Sequence, residues 1–167
     1  KQDTKRMSRR TIAIAAALSV LALGSPFGTA SANPLARQYF NQGVEKYETG
    51  NYQGAITDWS RAIEINPRHA DTYFSRGTAK DDLEDYQGAI ADYSKAIEIN
   101  PMNAETYYNR GNSKSRLKDY QGAIADYSKA IEINPEYANA YVNRGAAKAD
   151  LEDYQGAIAD YNKAIEA

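Results

Sequence analysis

The residues with reactive side chains are few, and their neighbours in the sequence offer little to work with. His69 is the single histidine and follows Pro67 in a stretch without a carboxylate or thiol cluster. By spacing it holds no metal and activates no nucleophile; a solvated position in a turn accounts for it. Residues 81–85 read Asp-Asp-Leu-Glu-Asp, the one run that invites calcium or paired-carboxylate chemistry. The run lacks the glycine and the long ligand loop that wrap a calcium ion, and a charged helix end passing into a turn explains it. With no cysteine in the chain, disulfide frameworks, thiolate metal sites, cysteine nucleophiles and a lipid-modified cysteine are all excluded. No phosphate-cradling glycine loop, nucleophile elbow or paired-histidine zinc motif occurs. The chain therefore reads as non-catalytic, with no cofactor and no metal.

Charge is divided unevenly. Residues 1–32 hold five of the 20 basic residues and one of the 22 acidic ones, which leaves the remainder with a net charge of −6. An acidic body without a basic stripe repels polyphosphate, so nucleic acid is not an expected partner. Within the basic part, Lys5, Arg6, Arg9 and Arg10 precede the apolar run IAIAAALSVLALG at residues 12–24, and Pro26 and then Ala30-Ser31-Ala32 follow. That order is a signal peptide over residues 1–32 with an A-x-A cleavage site, and it predicts an exported, periplasmic or secreted protein beginning at Asn33. The alternative is an uncleaved tether. A stable membrane span is not expected, because the thirteen apolar residues are fewer than the roughly 20 that cross hydrocarbon.

The body is periodic. YQGAIADYSKAIEINP fills residues 86–101 and again 120–135, a near copy starts at Tyr52 and a shorter one at Tyr154, all 34 residues apart. This is the period of a helix-turn-helix unit. In the second unit a first helix is predicted over about residues 70–83, a turn at Glu84-Asp85, and a second helix over about 86–99 that Asn100-Pro101 stops. On that second helix Tyr86, Ala89, Ile90, Tyr93, Ala96 and Ile97 fall within an arc of roughly 120°. One partner helix cannot cover so wide a stripe, so each unit must stack on the next. Gly77 and Ala89, opposite Tyr73 and Tyr93, let the paired helices approach closely. Gly54, Gly88, Gly122 and Gly156 each cost about 1 kcal/mol relative to alanine near a helix start, and close helix approach is the expected reason for them too.

The spacing Tyr73, Gly77, Ala89, Tyr93, Ala96, Pro101 resembles the tetratricopeptide repeat, as do Tyr39, Gly43, Ala55, Trp59, Ala62, Pro67 and their equivalents in the last two units. The resemblance places four units at residues 36–69, 70–103, 104–137 and, truncated, 138–167. It implies an all-α fold, a right-handed α-solenoid of tandem helix-turn-helix units, and a role as a protein-interaction scaffold. Two departures stand out. Gln42, Arg76, Arg110 and Arg144 replace a leucine usual before the glycine, and Lys46, Lys80, Lys114 and Lys148 replace a tyrosine usual three residues after it.

In that family the first helices line a concave groove. The resemblance therefore gives Phe40, Phe74, Tyr108 and Val142, with Asn41, Ser75, Asn109 and Asn143 beside them, as candidates for binding an extended peptide. Amides both donate and accept, so such a row suits a peptide backbone; asparagine also serves at these places as plain surface. The clamp with which some members grip a C-terminal carboxylate is not matched. Phe40, Val44, Ser75 and Glu105 stand in its places, and only Asn109 fits. Around the groove Glu48, Asp71, Asp81, Asp82, Glu105 and Asp150 outnumber Arg37 and Arg116, which favours apolar or basic segments of a protein partner over acidic tails.

Two further expectations concern stacking. Gln42 is the one non-arginine of its series and lies in the first unit, so Asp58, Asp92 and Asp126 are each expected to pair with the arginine of the following unit. The last helix keeps Ile158, Tyr161 and Ile165 where a solenoid needs a polar terminal face. Either these three form a candidate face for self-association into a homo-oligomer, the alternative to a peptide scaffold, or the chain is cut from a longer array.

Overall fold

The computed structural model describes residues 33–167, and the expected signal segment with its A-x-A site lies outside the described residues. Among the described residues there are eight helices and no strand, arranged as four antiparallel pairs. They are α1 (Pro34–Glu48) with α2 (Tyr52–Ile65), α3 (Ala70–Asp82) with α4 (Tyr86–Ile99), α5 (Ala104–Arg116) with α6 (Tyr120–Ile133), and α7 (Ala138–Asp150) with α8 (Tyr154–Glu166).

Short-range chemistry marks each boundary. The side chains of Asn51, Asp85, Asp119 and Asp153 accept the backbone N–H of Gly54, Gly88, Gly122 and Gly156 at 2.9–3.0 Å and so cap the second helices. A Cβ on any of these glycines would collide with the capping side chain. The glycines thus answer to the cap, which corrects the expectation of close helix approach. Close approach belongs to the other glycine series: a Cβ on Gly77 would lie 3.0 Å from the Tyr93 ring and one on Gly111 2.7 Å from the Tyr127 ring. The second helices of the first three units stop at Asn66, Asn100 and Asn134, whose side chains accept the N–H groups of Arg68, Met102 and Glu136. The proline after each asparagine cannot continue the helix.

Each helix packs against the helices before and after it, and the first helices of neighbouring units approach one another more closely than the second helices do. First helices therefore line the inner side of an α-solenoid of tandem units. The middle of the predicted stripe is the core, with Ala55, Trp59, Ala62, Ala89, Tyr93, Ala96, Ala123, Tyr127 and Ala130 all at most 2% exposed, while Tyr86, Ile90 and Ile97 at its borders are half-buried.

The expected aspartate–arginine pairing across units is overturned. Arg76 forks onto Asp92 of its own unit at 2.7 and 2.8 Å, Arg110 onto Asp126 at 2.7 and 2.9 Å, and Arg144 onto Asp160 at 2.6 and 2.9 Å. The reason is geometric, because within an antiparallel pair the arginine meets the aspartate, each one residue before the glycine and tyrosine that pack together. What crosses the unit boundary is the third guanidinium N–H, which donates to Ser60, Ser94 or Ser128 of the preceding unit at 3.0–3.1 Å. Lys80, Lys114 and Lys148, one helical turn after the arginines, grip the same carboxylates at 2.8–2.9 Å. Both departures from the family pattern thus serve one buried aspartate per unit. In the first unit, where Gln42 replaces the arginine, Lys46 and Arg61 attend Asp58 instead. Burial alone would raise the Asp160 carboxyl, but its bonds to Arg144 and Lys148 outweigh burial and hold it below the ordinary value.

Candidate functional site

The inner row is not uniform. Phe40 is buried, with the Trp59 ring 6.5 Å away, the His69 ring edge-on at 5.5 Å, and its carbonyl accepting the Trp59 indole N–H at 3.1 Å. His69 itself is exposed at the start of α3, and its Nδ1 is 2.7 Å from the Thr72 hydroxyl. Phe74 is half-buried 5.8 Å from Tyr93, and Tyr108 is half-buried between Tyr127 at 5.9 Å and Tyr137 at 4.9 Å. Val142 is 42% exposed. The apolar row therefore runs from a buried ring through two half-open rings to an open side chain.

The polar row divides as well. Ser75 is only 3% exposed, out of reach of a ligand backbone. Asn143 is committed inside the protein, its amide N–H groups donating to the Tyr108 hydroxyl at 3.0 Å and to Asn112 Oδ1 at 2.8 Å. Asn41 is exposed and Asn109 half-buried, and neither side chain bonds to another group among the described residues. The structure thus keeps open amides at Asn41 and Asn109 only.

Between the second and third units lies a small cleft of about 70 Å³ lined by Thr78, Asp81, Asp82, Tyr93, Asn109 and Asn112. Asp82 accepts the Tyr47 hydroxyl and Asp81 accepts the Ser113 hydroxyl, each at 2.5 Å, so both carboxylates are positioned from a neighbouring unit. Tyr47 is pushed up by burial and by that bond to Asp82, which keeps its proton on the phenol. Tyr93 donates to Thr78 at 3.2 Å, and Tyr127 to Asn112 at 2.7 Å. The cleft can offer a cation two carboxylates and the amide oxygen of Asn109, since Asn112 Oδ1 already accepts from Tyr127 and Asn143. Nothing in it resembles a nucleophile held against a base.

Thr78, Asn112 and Tyr93 were not among the sequence-derived candidates. A signal for the first two was present: they stand four residues after Phe74 and Tyr108, on the same side of their helices, and the series Val44, Thr78, Asn112, Ala146 varies between units. Glu48, Asp150 and Arg116 are exposed or partly so and do not line the cleft. Among the described residues no group of acidic or histidine side chains could hold a metal ion, and no helix is long and apolar enough to cross a membrane.

Comparison with known proteins gives the class. Profiles of the tetratricopeptide repeat match residues 104–137 and 138–167, and a TPR repeat profile matches residues 43–80 and 82–118. The chain belongs to the tetratricopeptide repeat family. No curated protein matches the sequence. Among solved structures, a crystal structure of MamA is 26% identical over 81% of this chain and 80% of that one, with a TM-score of 0.78. The Arabidopsis OM64 TPR domain is 25% identical over 72% of this chain and 99% of that one, TM-score 0.69. The first TPR of Spaghetti (RPAP3), bound to the HSP90 peptide SRMEEVD, is 21% identical over 71% of this chain and 94% of that one, TM-score 0.69, and so shares the fold.

Proposed function

We propose that the protein is an exported, non-catalytic interaction scaffold whose inner groove holds an extended segment of a partner protein, with a basic side chain of that segment seated between the second and third units. The cleft formed by Asp81, Asp82, Asn109 and Asn112 carries this reading. The lysines that could neutralise it, Lys80 and Lys114, are turned away onto Asp92 and Asp126. The Spaghetti domain holds a peptide whose sequence is acidic; here the places that would grip such a carboxylate hold buried Phe40 and Ser75 and acidic Glu105. Export rests on the basic, apolar and A-x-A order of residues 1–32, and N-terminal sequencing of the mature protein should start at Asn33.

Calorimetric titration with extended peptides that alternate lysine with apolar residues, and with the same peptides carrying glutamate, tests the groove. The lysine series should bind and weaken with added salt. Tyr108→Ala, which removes a half-buried aromatic anchor, should weaken it about 30-fold. Asn109→Ala, which removes one amide contact, should cost about fivefold. Lys95→Ala on the outer side, where the lysine bonds Glu98, should change nothing. Equal binding of the glutamate series, or indifference to both groove substitutions, would place recognition elsewhere on the molecule.

A further inference from the structure

Asp81 and Asp82 are consecutive on the last turn of α3, so their side chains leave the helix about 100° apart. Two different units hold them. Tyr47 on α1 donates to Asp82 Oδ2, and Ser113 on α5 donates to Asp81 Oδ1. Both carboxylates line the cleft between the second and third units, whereas neither donor does. The donors are buried, Tyr47 to 6% exposure and Ser113 to 0%.

Packing alone does not account for the two hydroxyls. Ser113 occupies the place that Ala79 holds in the second unit and Ala147 in the fourth, and all three are buried. The serine stands at the one of these boundaries where the preceding unit carries a carboxylate, Asp81; at the same place Tyr47 precedes Ala79 and Ser115 precedes Ala147. Nor does Ser113 need Asp81 to satisfy its hydroxyl. The Asn109 carbonyl, one turn back at 3.2 Å, is the acceptor that a buried helical serine ordinarily uses. The Tyr47 ring packs on Tyr52 and Trp59, with centroids at 5.1 and 5.9 Å. A phenylalanine ring would fill the same space, and what the hydroxyl adds is the bond to Asp82.

The carboxylates require such holding. Like charges on adjacent residues repel, and Lys80 and Lys114 are committed to Asp92 and Asp126. A hydroxyl on one oxygen of each carboxylate keeps the pair from swinging apart into water, and Asp82 Oδ1 is left without a bond among the described residues. We propose that Tyr47 and Ser113 are positioning residues that set the preference of the groove for a basic side chain, holding Asp82 from the unit before and Asp81 from the unit after. This rests on the basic-segment reading above and extends it: the charges lie in one unit, but the selectivity belongs to three stacked units. Neither hydroxyl touches the ligand.

Calorimetry with a lysine peptide of the alternating series and with its norleucine counterpart, alike in apolar contact and different in charge, tests this role. The wild type should prefer lysine. Tyr47→Phe and Ser113→Ala keep the packing, and each should weaken the lysine peptide about fivefold while the norleucine peptide binds as before. In an Asp82→Asn background Tyr47→Phe should have no further effect, as expected of two residues that act through one group. Ser94→Ala removes an inter-unit bond away from the cleft and should leave the lysine preference intact, which separates positioning from a general loosening of the stack. The positioning role is overturned, with the groove reading left standing, if either hydroxyl variant keeps the wild-type preference or if Ser94→Ala lowers it equally. A cost of Tyr47→Phe that is the same with and without Asp82→Asn overturns it as well. A wild type that binds the two peptides equally removes both the positioning role and the basic-segment reading.

Discussion

Over their shared length α6 and α8 differ only in Ser128 against Asn162, yet Tyr127 is 1% exposed and Tyr161 38%. Both helices begin on an aspartate cap at 2.9 Å and both lay their tyrosine against a glycine of the first helix. Among the described residues, α7 packs on the other side of α6, and no helix packs on that side of α8. One sequence thus forms the same helix twice, and its burial is decided by the neighbour. The first helices show the converse: α3, α5 and α7 differ from one another at the inner row while keeping the glycine, arginine and lysine that hold them to their second helices.

The widest separation between the two helices should come from one substitution made in each. Tyr127→Ala empties a filled core position and should cost about 4 kcal/mol, whereas Tyr161→Ala should cost about 1 kcal/mol, being packed on one side. Urea midpoints of the two variants check this, and equal costs would mean that stacking contributes little at α6. Next in size, Arg110→Ala leaves Asp126 buried with Lys114 as its remaining cation and should cost about 3 kcal/mol. Ser94→Ala removes only the inter-unit bond of Arg110 and should cost about 1 kcal/mol. If the serine change proves the larger, the cross-unit link and not the pair within the unit dominates.

Smaller effects distinguish the first unit from the others at the turn between paired helices. Glu84, Lys118 and Glu152 have φ of 63–65°, where the first unit has Gly50 at 82°. Lys118→Gly should stabilise by roughly 0.5 kcal/mol and Gly50→Ala should destabilise by about 1 kcal/mol, both read from thermal midpoints. The smallest effect is one of pH. Burial raises the Glu105 carboxyl above its ordinary 4.5, so the folded protein holds that proton more tightly than the unfolded chain does. Stability should therefore fall as pH rises from the ordinary value through the raised one, and Glu105→Gln should remove that fall. A variant whose pH profile matches the wild type would show that Glu105 is solvated in the folded state.

The helices were legible because their signals are local. The Asn-Pro stops act within one turn, the stripe of Tyr86, Ala89, Tyr93 and Ala96 lies on one helix, and the 34-residue period repeats one helix pair. The groove was legible in part: Phe74, Tyr108 and Asn109 remain open to a ligand, while Phe40 and Ser75 are buried and Asn143 is tied to Tyr108 and Asn112. The loss of Asn143 depends on contacts between units that no single unit encodes, whereas Phe40 is covered by Trp59 and His69 of its own unit.

Composition and period alone determined an all-α chain of stacked helical pairs, since a stripe wider than one partner can cover admits no isolated unit. Only the tertiary structure decided that Arg76, Arg110 and Arg144 bind the aspartate of their own unit and the serine of the one before. Sequence spacing places charges along a helix, but which of two nearby carboxylates a guanidinium meets depends on the separation and rotation of packed helices. It also decided that the second-helix glycines serve caps, and that Thr78 and Asn112 join Asp81 and Asp82 around one cleft. Directional, short-range bonds of this kind form only after non-directional apolar packing has set the helices in place.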